Sequence, residues 1–379
     1  MWLLACLALL PDPVRLSQLL QAAVDRGDVA GVVALVADKD RVLYHQAFGK
    51  LDVARSQPMP KDAIFRIASM TKPITSALAL MLIEEGKLRL DDPVANYLPA
   101  FREKRVIVSC DEKDCRTRPA ARTVTVRHLL THTSGIGYAW SDPYLKMLQE
   151  KTGLPEADLP LLHDPGARWT YGAGTRVLGA IVEKVSGRPL EVLMRERILE
   201  PLGMNDTSYA VPPEKAGRVP TVHQRAGGVL REKPNPAELR SAVRGDSNLY
   251  STATDYSRFL QLLLNGGRGI VSSAALRQMM QNQIGELVVE RQAVASDFSR
   301  PYPLGAGVDK WSLAFQVAAS EPAAHRRSPG SVSWAGIFNT HFWVDPKRQV
   351  AAVLLVQLLP FYDDRAIALL SAFEEQIYE

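Results

Sequence analysis

The sequence lacks several features that mark large classes of protein. It has only three cysteines among 379 residues, and no second ligand pair at the spacing of a structural zinc site. Its 45 basic and 41 acidic residues are interspersed, so there is no basic stripe of the kind that binds nucleic acid. No low-complexity linker and no repeat of solenoid length interrupts the chain. We therefore expect a globular protein with no metal, no cofactor and no nucleic-acid partner.

A transmembrane segment is not expected either. The apolar residues from Trp2 to Leu10 are too few to cross a bilayer, and no basic segment precedes them. They fit equally well the end of a signal peptide that starts upstream and an apolar lead-in to the first helix. Cys110 and Cys115 flank a polar loop, either as a local disulfide, which implies an oxidising compartment, or as two reduced surface thiols. Location stays open, with a slight preference for a periplasmic or secreted bacterial protein over a cytoplasmic one.

Apolar periodicity predicts strands towards both ends of the chain and helices between them. The predicted strands are 31–37, 42–48, 311–317, 331–335, 339–344 and 349–357, and the terminal helices are 14–26 and 364–378. Hairpin connections of this kind indicate an α+β fold, in which helices at the N- and C-termini flank one antiparallel sheet. We expect a single domain, 1–379. Residues 1–68 and 203–379 would form the sheet region and residues 69–202 an inserted, mainly helical lobe.

The stretch from Phe65 to Pro73 joins an extended apolar segment to a long apolar helix. Proline is tolerated only in the first turn of a helix, so the helix must begin close to Ser69. Lys72 lies three residues later and therefore on the same face. A serine hydroxyl beside an amine at a helix N-terminus is a potential nucleophile, because burial and the helix dipole lower the pKa of the lysine. Taken alone, the pattern also fits a capping serine beside a solvated lysine.

Three further features follow this pair along the chain, in this order: the segment Val126–Gly135, Tyr171 just before a helix, and the segment Leu249–Tyr256. Together with Ser69-Met-Thr-Lys72 they make the chain resemble the serine β-lactamase and penicillin-binding-protein superfamily, class C-like branch. The resemblance implies that Ser69 is the acylated nucleophile and that Lys72 and Tyr171 serve as general base and acid. Which of the two takes the serine proton first stays open, because such a pair titrates as a unit.

The third motif of the superfamily is Lys-Thr-Gly on a strand near the C-terminus. Lys151-Thr-Gly153 precedes Tyr171 and ends a predicted helix, so we reject it as that motif. The strand at 333–337 reads Ser-Trp-Ala-Gly-Ile and resembles the family VIII carboxylesterases. That resemblance implies an oxyanion hole built from the amides of Ser69 and Ile337. It also implies that four residues bind the substrate: Trp334, Ala335, Gly336 and Ala173.

Two departures from the β-lactamase pattern bear on the substrate. Ala173 stands where β-lactamases have an asparagine that binds the substrate amide, and Trp334 replaces a lysine that attracts a carboxylate. Both changes suit a less polar acyl ester. A third departure is the loop at 245–249, where relatives usually have a glycine-rich sequence. Two interpretations of Asp246 and Asn248 in this loop stay open. One of them reaches the pocket, or they cap a turn.

The sequence thus predicts a serine hydrolase that cleaves short or medium acyl esters of small molecules. An alcohol in place of water would make it an acyltransferase. A β-lactamase or D-amino-acid peptidase is the alternative enzyme, and a penicillin-binding sensor that is acylated without turnover is the non-enzymatic one. The α/β-hydrolase fold is excluded, because its Gly-x-Ser-x-Gly elbow is absent. Acyl length and oligomeric state are not specified by the sequence.

Overall fold

The structure is a computed structural model that describes residues 12–294, 296–319 and 325–379. The apolar segment at 2–10, interpreted above as a signal remnant or a lead-in, lies outside the described residues. The helices are α1 (Pro13–Asp25), α2 (Thr71–Glu84), α3 (Val126–Leu130), α4 (Pro143–Thr152), α5 (Gly174–Ser186), α6 (Leu190–Met194), α7 (Ala253–Leu264), α8 (Ser273–Met280) and α9 (Asp364–Tyr378). In these ranges, none of the helices is both apolar enough and long enough to cross a membrane.

The strands are β1 (Gly31–Asp38), β2 (Val42–Asp52), β3 (Gln57–Pro58), β4 (Phe65–Ala68), β5 (Arg105–Cys110), β6 (Cys115–Pro119), β7 (Val222–Ala226), β8 (Val229–Lys233), β9 (Leu249–Ser251), β10 (Lys310–Trp311), β11 (Gln316–Val317), β12 (Val332–Gly336), β13 (Thr340–Asp345), β14 (Val350–Leu355) and β15 (Leu358–Leu359). The main sheet has the order β10-β11-β12-β13-β14-β1-β2-β3. Its pairs are antiparallel, and β1 lies beside β14 with Val33 opposite Leu355. The predicted antiparallel sheet, which joins the N-terminal hairpin to the C-terminal strands, is therefore confirmed.

The central strand β1 is buried on both faces, because helices cover each side of the sheet. Alternate residues of a strand point to opposite faces. One face packs against α1 and α9, through Val32, Ala34, Val36, Leu16, Leu20, Leu369 and Phe373. The other packs towards α2 and α7, through Val33, Leu35, Ala37, Ile74, Leu78, Phe259 and Leu260. The terminal helices thus flank the sheet as predicted, and the opposite layer contains the helix that follows Ser69.

Local structure differs from the sequence prediction at three places. The single strand predicted at 311–317 is two short strands, because Ser312 Oγ accepts hydrogen bonds from the amides of Ala314 and Phe315 and closes a turn between them. The region around the cysteines forms the hairpin β5–β6, and Cys110 and Cys115 are joined as a disulfide. A further hairpin, β7–β8, was not predicted.

All strands of the main sheet come from residues 31–58 and 310–355. Helices α2 to α6, together with the hairpin β5–β6, come from residues 69–202. On this basis we propose the division into a sheet region and an inserted, mainly helical lobe within one catalytic domain. Ser69 lies where the two parts of the chain meet.

Candidate active site

Ser69 lies in the turn between β4 and α2, and its backbone is held from both sides. Ala68, just before it, has a positive φ of 43°, a strained conformation for a residue with a side chain. Thr71 stabilises this turn, since its hydroxyl donates to the Ala68 carbonyl at 2.7 Å and accepts from the Leu249 amide at 3.3 Å. The serine itself is half-buried.

The segment at 249–256 positions this turn from the other side. Strand β9 pairs with β4, so that Leu249 lies opposite Ala68. Tyr256, at the start of α7, donates its hydroxyl hydrogen bond to the Met70 carbonyl at 2.9 Å. The segment that supported the family resemblance therefore acts structurally, by fixing the backbone on both sides of Ser69.

Lys72 is only 2% exposed, and its amine contacts three oxygens. It lies 3.1 Å from Ser69 Oγ, 3.1 Å from the Tyr138 hydroxyl and 2.8 Å from the Asp246 carbonyl oxygen. Burial disfavours the ammonium form and lowers the pKa of Lys72 to about 7, against an opposing effect of Asp246. A lysine with such a pKa is in part neutral at neutral pH and able to accept a proton.

A buried charged network extends from Lys72 away from the serine. The Tyr138 hydroxyl donates to Asp246 Oδ2 at 2.6 Å, and Arg176 contacts both carboxylate oxygens of Asp246, at 3.2 and 3.1 Å. Glu156 binds the far end of the Arg176 guanidinium at 2.9 Å. Burial alone would raise the pKa of the Asp246 carboxyl, but Lys72 and Arg176 hold it below its usual value. Asp246 is therefore an ionised carboxylate at neutral pH.

Tyr171 is a second partner of the serine and lies within a cluster of aromatic rings. It is 3% exposed, and the centre of its ring lies 4.7 Å from Lys72 Nζ. Trp334 Nε1 donates to the Tyr171 hydroxyl at 3.2 Å. Burial raises the pKa of Tyr171, and the interactions with Ser69 and Trp334 oppose that rise only in part. The phenol is protonated at neutral pH.

Strand β12 runs directly beside β4, and Gly336 makes this possible. A Cβ atom at position 336 would lie 2.3 Å from the Ile67 carbonyl oxygen, so a larger residue would push the strands apart. Ile337 directly follows Gly336 in the chain and is half-buried. Ala335 is 7% exposed, and Ala173, which is the N-cap of α5, is fully buried.

The structure thus brings Ser69, Lys72, Tyr171 and Trp334 together, and it adds two residues that the sequence analysis missed. Tyr138 and Arg176 belong to no pattern recognised in the sequence, although Tyr138 follows closely after the segment that ends at Gly135. Of the two candidates in the loop at 245–249, Asp246 faces Lys72. Asn248 instead donates to the carbonyl of Ala242 at 3.0 Å.

Two histidines, His128 and His132, lie four residues apart in the chain and have capping and packing roles. His128 Nδ1 accepts from the Thr125 amide at 3.1 Å in the N-terminal capping box of α3. His132 is buried, and its ring centre lies 4.8 Å from that of Tyr171. Within the described ranges, no group of three or more histidine, cysteine, aspartate or glutamate side chains is arranged to hold a metal ion.

A family model described as Beta-lactamase matches residues 16–375, nearly the whole chain. The chain belongs to the β-lactamase family. Protein Rv1367c of Mycobacterium tuberculosis is 32% identical to it over 89% of this chain and 88% of its own length. Esterase EstB of Burkholderia gladioli is 28% identical over 96% of this chain and 94% of its own length.

Among solved structures, a variant of simvastatin synthase from Aspergillus terreus superposes with a TM-score of 0.83. It is 27% identical and covers 97% of this chain and 94% of its own. Other members of the family that match carry the names of esterases and of acyltransferases. These comparisons confirm the β-lactamase fold and the resemblance to the esterase branch, and they support a serine hydrolase or acyl-transfer enzyme.

Proposed function

We propose that this protein is a serine esterase that cleaves short or medium acyl esters through an acyl–Ser69 intermediate. The observation that carries this proposal is the contact between Ser69 Oγ and the buried amine of Lys72, 3.1 Å apart, with the hydroxyl of Tyr171 as a second partner of the serine. A nucleophile within hydrogen-bond reach of a base of suitable pKa is the arrangement that covalent catalysis requires.

In the first half-reaction, Ser69 Oγ attacks the ester carbonyl carbon while its proton passes to Lys72. The carbonyl oxygen becomes an oxyanion, for which the amides of Ser69 and Ile337 are the proposed donors, each lowering the barrier by roughly 3–4 kcal/mol. Collapse of the tetrahedral intermediate breaks the bond to the alcohol oxygen, which takes a proton from Tyr171 as it leaves. The proton held by Lys72 then passes to Tyr171, so that the amine is neutral and the phenol is protonated again. The products are a free alcohol and the acylated serine.

In the second half-reaction, a water molecule attacks the acyl carbon and gives up a proton to the same base. The bond to Ser69 Oγ breaks, the serine regains its proton, and the carboxylic acid leaves. An alcohol in place of water would instead yield a new ester. Acyl transfer is a second candidate function because relatives named as acyltransferases match across most of this chain.

The environment of Trp334 supports an ester over a charged β-lactam. Its indole N–H binds Tyr171, and its ring packs against Trp311 with centres 4.6 Å apart. The tryptophan therefore supplies apolar surface rather than a positive charge at the position where the β-lactamase pattern has lysine. An acyl chain without a carboxylate loses nothing there, whereas a carboxylate-bearing substrate would lack its cation.

The proposal is tested with p-nitrophenyl esters of increasing chain length, methyl or ethyl esters, and the β-lactam nitrocefin. We expect steady turnover of the short and medium esters, slower nitrocefin hydrolysis, and an acyl adduct on the Ser69 peptide by mass spectrometry. Ser69→Ala should abolish turnover. Ser76→Ala removes another buried serine from α2 and should leave turnover close to wild type.

Each of the other outcomes rejects the proposal in a distinct way. Nitrocefin hydrolysis faster than any ester would indicate a β-lactamase. Stoichiometric acylation without turnover would indicate a sensor. Full ester turnover by Ser69→Ala would exclude Ser69 as the nucleophile. Adding short alcohols to the ester assay shows whether the acyl group is also transferred to an alcohol.

A further inference from the structure

Asp246 approaches Lys72 with both its backbone and its side chain. Its carbonyl oxygen accepts from the lysine amine at 2.8 Å, and its carboxylate accepts from Tyr138, which is itself a partner of Lys72. The side chain is 1% exposed, so water does not screen it. Arg176 lies on the other side of the carboxylate and is its only positively charged partner apart from Lys72 within the described residues.

Close backbone packing holds Asp246 and Arg176, which form an ion pair, in place relative to each other. Gly245 packs against the first turn of α5, where a Cβ atom would lie 2.6 Å from the Thr175 carbonyl oxygen and 3.0 Å from the Gly179 Cα. Arg176 belongs to the same turn of α5. The loop that carries Asp246 therefore cannot move away from the helix that carries Arg176 without breaking close backbone contacts.

The hydrogen bonds also fix the direction of the lysine lone pair. The Tyr138 proton goes to the Asp246 carboxylate, so the Tyr138 oxygen is left to accept from Lys72. The Asp246 carbonyl oxygen is an acceptor as well. A neutral amine has two N–H groups and one lone pair. With both N–H groups engaged by these acceptors, the lone pair faces the third partner, Ser69 Oγ.

We propose that the Asp246–Arg176 ion pair is a positioning device that orients Lys72 towards Ser69 and sets the pH at which Lys72 activates the serine. This inference rests on the proposed function and assigns Asp246, Arg176 and Tyr138 as positioning residues. None of them need touch the substrate, because each acts on Lys72.

The titratable groups around Lys72 come from several helices and loops. Among them, the Asp246–Arg176 ion pair places one negative and one positive charge near the amine. Asp246 favours the ammonium form of Lys72, and Arg176 disfavours it. Among the residues that the structure describes, the other titratable groups that face Lys72 are Tyr138, Tyr171 and His132. They are neutral at pH 7, because burial raises the pKa of both tyrosines and lowers that of the histidine.

The test measures the pH dependence of kcat/KM for a p-nitrophenyl ester in single and double variants of the pair. Activity requires neutral Lys72, so it is lost as pH falls through the lysine pKa. Asp246→Asn removes the negative charge, so the acid limb should move to lower pH by about one unit. Arg176→Gln removes the positive charge, so the limb should move to higher pH by a similar amount. The double variant should fall between the two single variants.

Two controls separate electrostatics from folding. Arg176→Lys keeps the charge and should keep the acid limb close to the wild-type position. Arg225→Gln disrupts another buried ion pair, between Arg225 and Asp363 at 2.7 Å, and should leave the limb unmoved. If Asp246→Asn does not fold, the acid limbs of Arg176→Gln and Arg176→Lys still test whether the charge of Arg176 sets the pH dependence.

The inference is overturned if the acid limb does not move in folded Asp246→Asn and Arg176→Gln, or moves in the same direction in both. Failure of the proposed function looks different, because Ser69→Ala would then keep its turnover or no adduct would form on the Ser69 peptide. Turnover that depends on Ser69, combined with an unmoved acid limb, would reject only the role of the ion pair.

Discussion

The two partners of Ser69 are both buried, but their surroundings, called here the two sides of Ser69, differ chemically. On one side, the buried amine of Lys72 is surrounded by oxygens and by the Asp246–Arg176 ion pair. On the other, the buried phenol of Tyr171 is surrounded by aromatic rings and receives one hydrogen bond, from Trp334. Within the described part of the chain, the first side contains an ion pair, whereas the second, apart from Lys72 itself, consists of aromatic rings.

The difference shows that burial shifts the pKa of an amine and the pKa of a phenol in opposite directions. Desolvation disfavours the charged form of either group. It therefore lowers the pKa of Lys72 to about 7 and raises the pKa of Tyr171 above its usual value. The amine becomes a usable base near neutral pH, whereas the phenol keeps its proton. We infer that Lys72 takes the serine proton and that Tyr171 delivers a proton to the leaving group.

The largest expected effect is on kcat/KM, when the Lys72 amine or the Tyr171 hydroxyl is removed and the alcohol part of the ester is varied. Lys72→Met should lower kcat/KM by roughly 10³-fold for any ester, since a lost general base accounts for about 10²–10⁴. Tyr171→Phe should be mild for p-nitrophenyl esters, whose leaving group needs no proton, and severe for ethyl esters. Rates for matched p-nitrophenyl and ethyl esters, measured for both variants, give the comparison.

Lys104→Met is the matched control for the lysine. Lys104 is also largely desolvated, which lowers its pKa to about 8, but it binds the carbonyls of Ala157 and Leu159 instead of the serine. Its removal should leave the rates unchanged. The assignment of roles is wrong if Tyr171→Phe matches Lys72→Met on the p-nitrophenyl esters, or if it shows no preference for leaving group.

A second expected effect concerns stability. The pKa of Lys72 is about 7 in the folded protein and 10.5 in its ordinary state, so the unfolded chain binds more protons between these values. The free energy of unfolding therefore rises with pH across this window, by at most ~1.4 kcal/mol per pH unit. Lys72→Met lacks this contribution. Urea unfolding at pH 7, 8 and 9 should show the stability of wild type increasing relative to the variant.

The wild-type enzyme and the variant share every other titrating group, so their difference isolates the lysine. Asp246 and His132 titrate below the window, where their pKa values are held down, and Tyr171 titrates above it. A difference that stays flat from pH 7 to 9 would mean that Lys72 keeps an ordinary pKa in the folded protein. The contrast between the two sides of Ser69 would then lose its basis.

The sequence predicted the features that local spacing determines. Continuous apolar runs located β1 and β14, and the fold class followed from their place in the chain. One helical turn separates Ser69 from Lys72, so their contact could be foreseen. The two-residue strands β10 and β11 could not, because hydrogen bonds from two backbone amides to the Ser312 side chain decide where they end.

The charged side of the site was the least predictable part. Lys72 is 66 residues from Tyr138 and 174 residues from Asp246, and no periodicity links positions so far apart. The contact exists because β9 pairs with β4 and the loop before β9 packs on α5. The sequence analysis placed Trp334 at the substrate but did not foresee that its indole N–H binds Tyr171. Such roles depend on tertiary geometry.

The smallest expected effect probes the aromatic side through Trp334. Trp334→Phe keeps a ring that packs on Trp311 but removes the N–H that binds the Tyr171 hydroxyl. One hydrogen bond of this kind contributes about 1 kcal/mol, so kcat should fall roughly fivefold, and more for ethyl than for p-nitrophenyl esters. KM should change little, because the bond orients a proton donor and does not hold the substrate.

Trp169→Phe is a control within the same cluster. Its indole nitrogen is buried and has no hydrogen-bond partner among the described residues, while its ring lies 6.3 Å from that of Tyr171. Removing this N–H deletes no hydrogen bond, so kcat should stay close to wild type even if packing changes. If the two variants lower kcat equally, the rings act only by excluding water. If Trp334→Phe alone lowers it, the aromatic side also orients the phenol, as Asp246 and Arg176 are proposed to orient the amine.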